Sequence, residues 1–356
     1  MNNIEEMSRS RPFFSKYVLK ENDEGSHHNN FFKKQEWWYY NVLFNNSESE
    51  LKNWSAVISL CTFPHTDSIK LILHDNKQKS YGDIYLKPVG TCKIGGPGVD
   101  VKIDSSYFIG RYPKWHVYAD NKNLDGPEIT VDLDFKANSL PMWLLKNTGL
   151  NHPKSPFGYY CVMNCYAKGE VSIDDRVYKV EGLGYHDHTW MPLLKETGSE
   201  HKKKLIDFNI WDWLCIHFDN EWDVFIGKIH SHQRSIFSNL IPGSICISHD
   251  GKKSIECNFF RLEYLEYIPS TIPSLKIPTK IHVKAPKMNL LRKNPLKGPF
   301  VLDIYYEVEN IKECITRDPP TWCQWETTGK VYGEIRVFRK SIKLDGWGIM
   351  ETASNV

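Results

Sequence analysis

The sequence predicts an all-β chain built as two β-rich domains in tandem, and three observations carry that reading. Hydrophobic residues recur with a period of two through most of the 356 residues. Turn signals such as Gly95-Gly96-Pro97-Gly98, Asp219-Asn220 and Asp250-Gly251 punctuate the apolar runs. Only Leu140–Thr148 reads as helical, with Pro141 suited to a first helical turn. Many strands joined by short turns, with almost no helix, make β-barrels or sandwiches.

Residues 1–29 form a polar N-terminal segment with no apolar h-region, so no secretory signal is read there. The first domain, residues 30–196, contains alternating or β-branched runs at Trp37–Phe44, Trp54–Phe63, Ile69–His74, Trp115–Ala119, Ile129–Phe135, Tyr159–Ala167 and Val171–Val180. The polar stretch Lys195–Lys204 marks the boundary. The second domain, residues 197–356, contains Ile206–Phe218, Trp222–Ile229, Cys257–Tyr267, Phe300–Val308 and Gly329–Phe338. Residues 269–298 carry five prolines and read as a long connection or lid. The halves have similar strand counts without a clear sequence repeat.

Composition excludes several function classes. Aromatic residues make up 13% of the chain, which predicts an aromatic-rich core. A net charge of +2 argues against electrostatic capture of nucleic acid, and His201-Lys202-Lys203-Lys204 reads as a solvated loop. No stretch approaches the roughly 20 apolar residues of a membrane span, so a cytoplasmic protein is expected. The nine cysteines include no CxxC, which predicts small buried hydrophobes rather than a zinc ribbon or redox dithiol. There is no GxSxG elbow and no Walker motif.

The chemistry concentrates in Gly182-Leu183-Gly184-Tyr185-His186-Asp187-His188-Thr189-Trp190 and in Glu36-Trp37-Trp38-Tyr39-Tyr40. If both are extended, His186, His188 and Trp190 share one face while Tyr185, Asp187 and Thr189 share the other. Likewise Glu36, Trp38 and Tyr40 oppose Trp37 and Tyr39. Hydrogen-bonded core histidines are the plain alternative to a functional cluster. A metal reading would join His186 and His188 to a second His-x-His, His230-Ser231-His232. A proton reading needs fewer parts. Desolvation raises the pKa of a carboxyl in an aromatic pocket, so it can donate a proton, and aromatic faces stabilise the resulting carbocation.

Glu36-Trp37-Trp38-Tyr39, Gly184 to Trp190, and Trp211-Asp212-Trp213 occur in the order and rough spacing that resemble the carotenoid 1,2-hydratase (hydroxyneurosporene synthase-like) superfamily. The resemblance spans residues 30–350. It implies two lipocalin-like (calycin-like) β-barrel domains in tandem. The group includes hydratases of plant defence compounds, fungal lipocalin-like Diels–Alderases and other cyclases. In the carotenoid hydratases the second His and the Trp of the mid-chain motif are implicated in catalysis, and these match His188 and Trp190. Those hydratases also use a Tyr-x-Asp pair whose Asp donates the proton. The corresponding strand here, Glu221–His230, has no Tyr-x-Asp, and its Asp223 lies near a hairpin. That departure turns the expectation from hydration toward cyclisation and leaves Asp187 as the leading acid, with Asp212 second.

The expected function is a cofactor-free cyclase or isomerase that protonates C=C bonds of an isoprenoid or polyene. Hydration, a pericyclic reaction and non-catalytic carriage of a hydrophobe are the alternatives. Asp187 is the expected acid, His188 its orienting partner or returning base, His186 a neighbour in the cluster, and Trp190 a cation-stabilising wall. Trp38, Tyr40, Tyr185, Trp211 and Trp213 are the expected substrate-binding residues. No metal is expected. The partner is a hydrophobic small molecule. Peripheral membrane contact is compatible with such a substrate, although no amphipathic basic helix supports it.

Overall fold

The computed structural model describes residues 19–27, 34–47, 49–122, 126–144, 158–192, 207–230, 243–251, 253–258, 260–285, 300–316, 322–337 and 340–355. The chain divides into two compact units, residues 16–201 and 202–356. Among the described residues no helix is long and apolar enough to cross a membrane.

The first unit begins with a four-residue helix, α1 (Glu21–Glu24), followed by β1 (Lys34–Leu43), β2 (Ser55–Thr62), β3 (Thr66–His74), β4 (Ser80–Pro88), β5 (Lys93–Ile94), β6 (Val99–Ile103), β7 (Ser106–Arg111), β8 (Lys114–Asp120), β9 (Ile129–Ala137), β10 (Met142–Trp143), β11 (Gly158–Ile173) and β12 (Arg176–Pro192). They form one antiparallel sheet in the order β4-β3-β2-β1-β12-β11-β9-β8-β7-β6-β5, with β10 paired to β11. The first long strand therefore pairs with the last, and the sheet opens between β4 and β5. It curls until β2 and β3 lie against β6 and β8. Trp38, Tyr40, Val42, Leu71, Val101, Phe108, Val117 and Phe135 then fill a common interior. The outer faces differ around the curl. Strand β6 alternates buried and exposed residues, whereas β2 is buried on both faces.

The second unit consists of β13 (Asp207–Phe218), β14 (Trp222–His230), β15 (Ser244–His249), β16 (Lys253–Cys257), β17 (Arg261–Pro269), β18 (Lys276–Ala285), β19 (Phe300–Thr316), β20 (Trp322–Val337) and β21 (Lys340–Asn355). Its order, β16-β15-β14-β13-β21-β20-β19-β18-β17, follows the same route, again with the first strand paired to the last. The two units are thus topological repeats. The register exposes a faint sequence echo: Gly184 of β12 pairs with Val42 of β1, and Gly348 of β21 pairs with Ile216 of β13. Each belongs to a Gly-x-Gly. A Cβ at Gly182 would lie 1.8 Å from the Leu43 carbonyl oxygen, and one at Gly346 would lie 2.2 Å from that of His217.

Four sequence expectations need correction. Met142–Trp143 is a strand rather than part of a helix, and residues 145–148 of that stretch lie outside the described residues. Val171–Val180 is two strands, because the chain reverses after Ile173 with Asp174 at φ 51°. Cys257–Tyr267 is interrupted between β16 and β17. The proline-rich stretch 269–298 contains all of β18. There Pro278 sits opposite Tyr267, next to Thr279, an extra residue of β18 that interrupts the ladder and tolerates a residue without an N–H. The polar boundary stretch and the basic run 201–204 lie outside the described residues.

Candidate active site

Strand β12 runs between β1 and β11, so its two faces receive different neighbours. Asp187 pairs with Tyr39 on one side and Cys161 on the other. It is 2% exposed. The Tyr159 hydroxyl donates to its Oδ2 at 3.0 Å and the Tyr185 hydroxyl donates to the same oxygen at 2.9 Å. Burial, and then the negative charge of Asp187, push the Tyr159 phenol well above its ordinary pKa, so it stays a donor. Tyr39 meets Tyr185 edge-on at 6.3 Å, and the Lys70 ammonium lies 5.5 Å from the Tyr39 ring centre. This face therefore combines a carboxyl, three phenols and a cation.

The opposite face of β12 points into the interior of the curl. His186 Nδ1 donates to the Tyr39 carbonyl at 3.1 Å, and its Nε2 lies 3.1 Å from the Tyr160 hydroxyl. Its ring stacks on Tyr40 at 4.2 Å. Burial holds the His186 imidazole at a pKa of about 3, so it is neutral at physiological pH. His188 Nδ1 donates to the Asp23 carbonyl at 3.2 Å and its Nε2 lies 2.9 Å from Glu36 Oε1. Its ring stacks on Trp38 at 4.6 Å. Burial lowers the His188 pKa against the raising effect of Glu36. Trp190 stacks on His27 with ring centres 3.4 Å apart.

Residues 19–27 form a strap across this end of the interior. Lys20 N–H donates to Asp23 Oδ2 at 2.9 Å, capping the short helix. Glu24 is 1% exposed and accepts from Tyr112 N–H at 3.0 Å and Trp115 Nε1 at 2.9 Å. Its carbonyl accepts from Trp38 Nε1 at 2.9 Å.

The structure therefore separates residues that adjacency had grouped. Asp187 and His188 do not form the expected pair, because alternation sends them to opposite faces with different partners. Trp190 is not a wall beside Asp187; it faces the strap. Trp38 and Tyr40 are fully buried in the interior beneath His188 and His186. Tyr39, not the Trp38 and Tyr40 pair, shares the face of Asp187 with Tyr185. The sequence pointed to a phenol from Tyr159-Tyr160, and Tyr159 supplies one to Asp187, whereas Lys70, His27 and Glu24 carry no sequence signal. The alternation rule could have placed Tyr39, but only the β1–β12 register puts it opposite Asp187.

In the second unit Asp212 points inward. It meets His230 Nε2 at 2.5 Å, accepts from Thr352 Oγ1 at 2.9 Å and bonds the Tyr264 hydroxyl. This second acid candidate is a hydrogen-bonded carboxylate in a polar cluster. Trp211 and Trp213 leave the other face of β13: Trp211 Nε1 donates to Glu351 at 2.6 Å, and Trp213 meets Phe225 edge-on. Asp223 is bound to His217 Nδ1 at 2.7 Å. His186 hydrogen-bonds Tyr39 and Tyr160, and His230 Nε2 meets Asp212; His232 lies outside the described residues. None of the nine cysteines forms a disulfide.

Two curled antiparallel sheets that run the same route define a tandem lipocalin-like protein. Three solved structures share this fold over nearly the whole chain. A protein of Nitrosomonas europaea assigned to AttH is 15% identical, covers 97% of this chain and 99% of its own, and has a TM-score of 0.68. Kievitone hydratase from Nectria haematococca is 10% identical over 95% of this chain and 93% of its own, with a TM-score of 0.62. CghA, in a structure with Sch210972, is 11% identical over 97% and 96%, with a TM-score of 0.61. At these identities the likeness is one of fold. No family model and no curated protein matches the sequence.

Proposed function

We propose that this chain is an enzyme acting on a hydrophobic unsaturated small molecule, and that it cyclises or isomerises C=C bonds of an isoprenoid or polyene by proton donation from Asp187. The observation that carries this reading is a buried carboxyl with two phenols donating to one of its oxygens. With Oδ2 held by Tyr159 and Tyr185, Oδ1 is the oxygen to carry the acidic proton. The O–H bond breaks as a C–H bond forms on the alkene, and the two phenols stabilise the carboxylate left behind. The neighbouring Tyr39 and Tyr185 rings offer π-faces to the cation. Attack by a second alkene then closes a ring, and loss of a proton from the adjacent carbon to Asp187 restores the acid. The step balances without a cofactor.

Hydration is the second reading, favoured by the fold shared with kievitone hydratase; there water takes the place of the second alkene. The test is to incubate the purified chain with linear isoprenoids and polyenes in ordinary and heavy water and weigh the products. An isomeric product that gains one deuterium supports the proposal. A product heavier by one water selects hydration. An isomeric product without deuterium selects a pericyclic reaction or an internal return of the same proton, and Asp187→Asn, tolerated only in the pericyclic case, separates the two.

A further inference from the structure

We propose that His27, Glu36 and His188 form a binding site for a divalent metal ion of the zinc class, which staples the strap of residues 19–27 to the first sheet. The site is independent of the proton chemistry proposed for Asp187, which lies on the other face of β12. It also differs from the two His-x-His pairs read in the sequence, sharing only His188 with them.

The argument begins with one proton. His188 Nδ1 faces the Asp23 carbonyl, which can only accept, so the proton of a neutral ring sits on Nδ1. The Nε2 lone pair then points at Glu36 Oε1, 2.9 Å away. Two acceptors at that distance repel unless a cation lies between them. Both side chains are completely buried, so the cation between them is either a proton shared by the pair or a metal ion.

The surroundings favour the metal. A third donor, His27 Nδ1, lies 3.3 Å from the same Glu36 oxygen. The three donor atoms all fall within 4.8 Å of one another. Donors on a tetrahedral zinc stand about 3.4 Å apart, so the His27–Glu36 spacing already fits and the His188–Glu36 spacing needs a small opening. Two imidazoles and one carboxylate are a set that zinc accepts with water in the fourth position. The outer contacts match those that orient metal ligands: His188 donates its far N–H to a backbone carbonyl, and Glu36 accepts the His27 backbone N–H at 2.9 Å. Trp38 stacked on His188 and Trp190 stacked on His27 hold both rings in place.

The experiment uses the full chain, purified with any polyhistidine tag removed, and probed with zinc and with cobalt(II). Elemental analysis after dialysis should find about one equivalent of metal. Cobalt(II) should give the intense visible absorption of a four-coordinate ion. Chelation should lower the melting temperature, and added zinc should restore it. His27→Ala, a change on the half-buried strap, should weaken cobalt binding about 100-fold or more while near-ultraviolet circular dichroism stays native. Glu36→Gln should do the same. Wild-type protein that binds neither metal overturns the proposal whatever the variants do. So does binding that persists unchanged in a folded His27→Ala or Glu36→Gln protein, since the ion would then lie elsewhere.

Discussion

Strands β12 and β21 hold the same place in two sheets of the same topology, each the last strand of its unit and each paired with the first. Aligned through their Gly-x-Gly sequences, Asp187 corresponds to Glu351, His186 to Met350 and His188 to Thr352. In the first unit the interior face of this strand carries imidazoles and the outer face a carboxyl bound by phenols. In the second unit the interior acid comes from the partner strand, as Asp212, and is bound by His230, Thr352 and Tyr264. One route of the backbone thus supports two different polar clusters. Topology determines which positions face each other, and the side chains determine which polar groups meet there.

The sharpest way to break this comparison is to neutralise both acids. Asp187→Asn should lower turnover by about a thousandfold, within the range for loss of a general acid, and leave the fold intact. Asp212→Asn should preserve turnover per folded molecule but cost about 1–3 kcal/mol of stability, because it weakens a buried hydrogen-bond network. Product assays and urea denaturation on the two variants separate these outcomes, and equal losses of turnover would end the distinction.

A pH series tests the His186–Met350 difference. The folded His186 pKa of about 3 lies below the unfolded value near 6.5, so below pH 6.5 the unfolded chain binds a proton that the folded chain refuses. Stability contributed above pH 6.5 is therefore lost as the pH falls toward 3, with a slope of about 1.4 kcal/mol per pH unit. Replacing His186 by Met, as in the second unit, together with Tyr160→Phe to avoid an unpaired hydroxyl, should flatten that slope. Denaturation curves at pH 7, 5.5 and 4 measure it.

The paired glycines give a smaller contrast. A Cβ at Gly184 would meet a Phe135 ring carbon at 2.7 Å and the Asn41 carbonyl oxygen at 2.8 Å, whereas one at Gly348 has its nearest neighbours at 3.1 Å. Gly184→Ala should cost about 1–3 kcal/mol and Gly348→Ala under about 1 kcal/mol, read as shifts in denaturation midpoint. Among the changes in turnover the smallest is expected from Tyr185→Phe, which removes one of two donors to Asp187 and should slow turnover about tenfold. No change in rate would remove the phenols from the mechanism.

Several of these features were legible in the sequence. Period-two runs identified β1, β2, β8, β9, β13 and β14, and alternation alone sorted His186, His188 and Trp190 from Tyr185, Asp187 and Thr189. Two kinds of information were missing. Strand β21 escaped notice because Gly346 and Gly348 weaken its β signal, and Gly346 is required by close backbone approach to β13, a tertiary fact. Strand β18 was hidden by Pro278, whose missing N–H is tolerated beside the register shift at Thr279. The site suffered from the same gap. Tyr39 and Asp187 are separated by nearly 150 residues, and no local pattern reports the register that makes them neighbours. His27 and Glu24 lie in a stretch that reads as polar, and only the strap contacts reveal what they bind.

The pairing of first strand with last has a consequence for synthesis on the ribosome. Strand β1 emerges early and can find β2, but its other edge must wait for β12, which begins about 130 residues later. At translation rates of roughly 5–20 residues per second, that edge stays unpaired for roughly 7–26 s. Its Trp38, Tyr39 and Tyr40 are then exposed beside open backbone donors and acceptors, the combination most prone to wrong pairing between nascent chains. The second unit repeats the delay between β13 and β21. Productive expression should therefore depend on chaperone capacity, and fragments that stop short of β12 should aggregate, whereas those that include it can complete the first sheet.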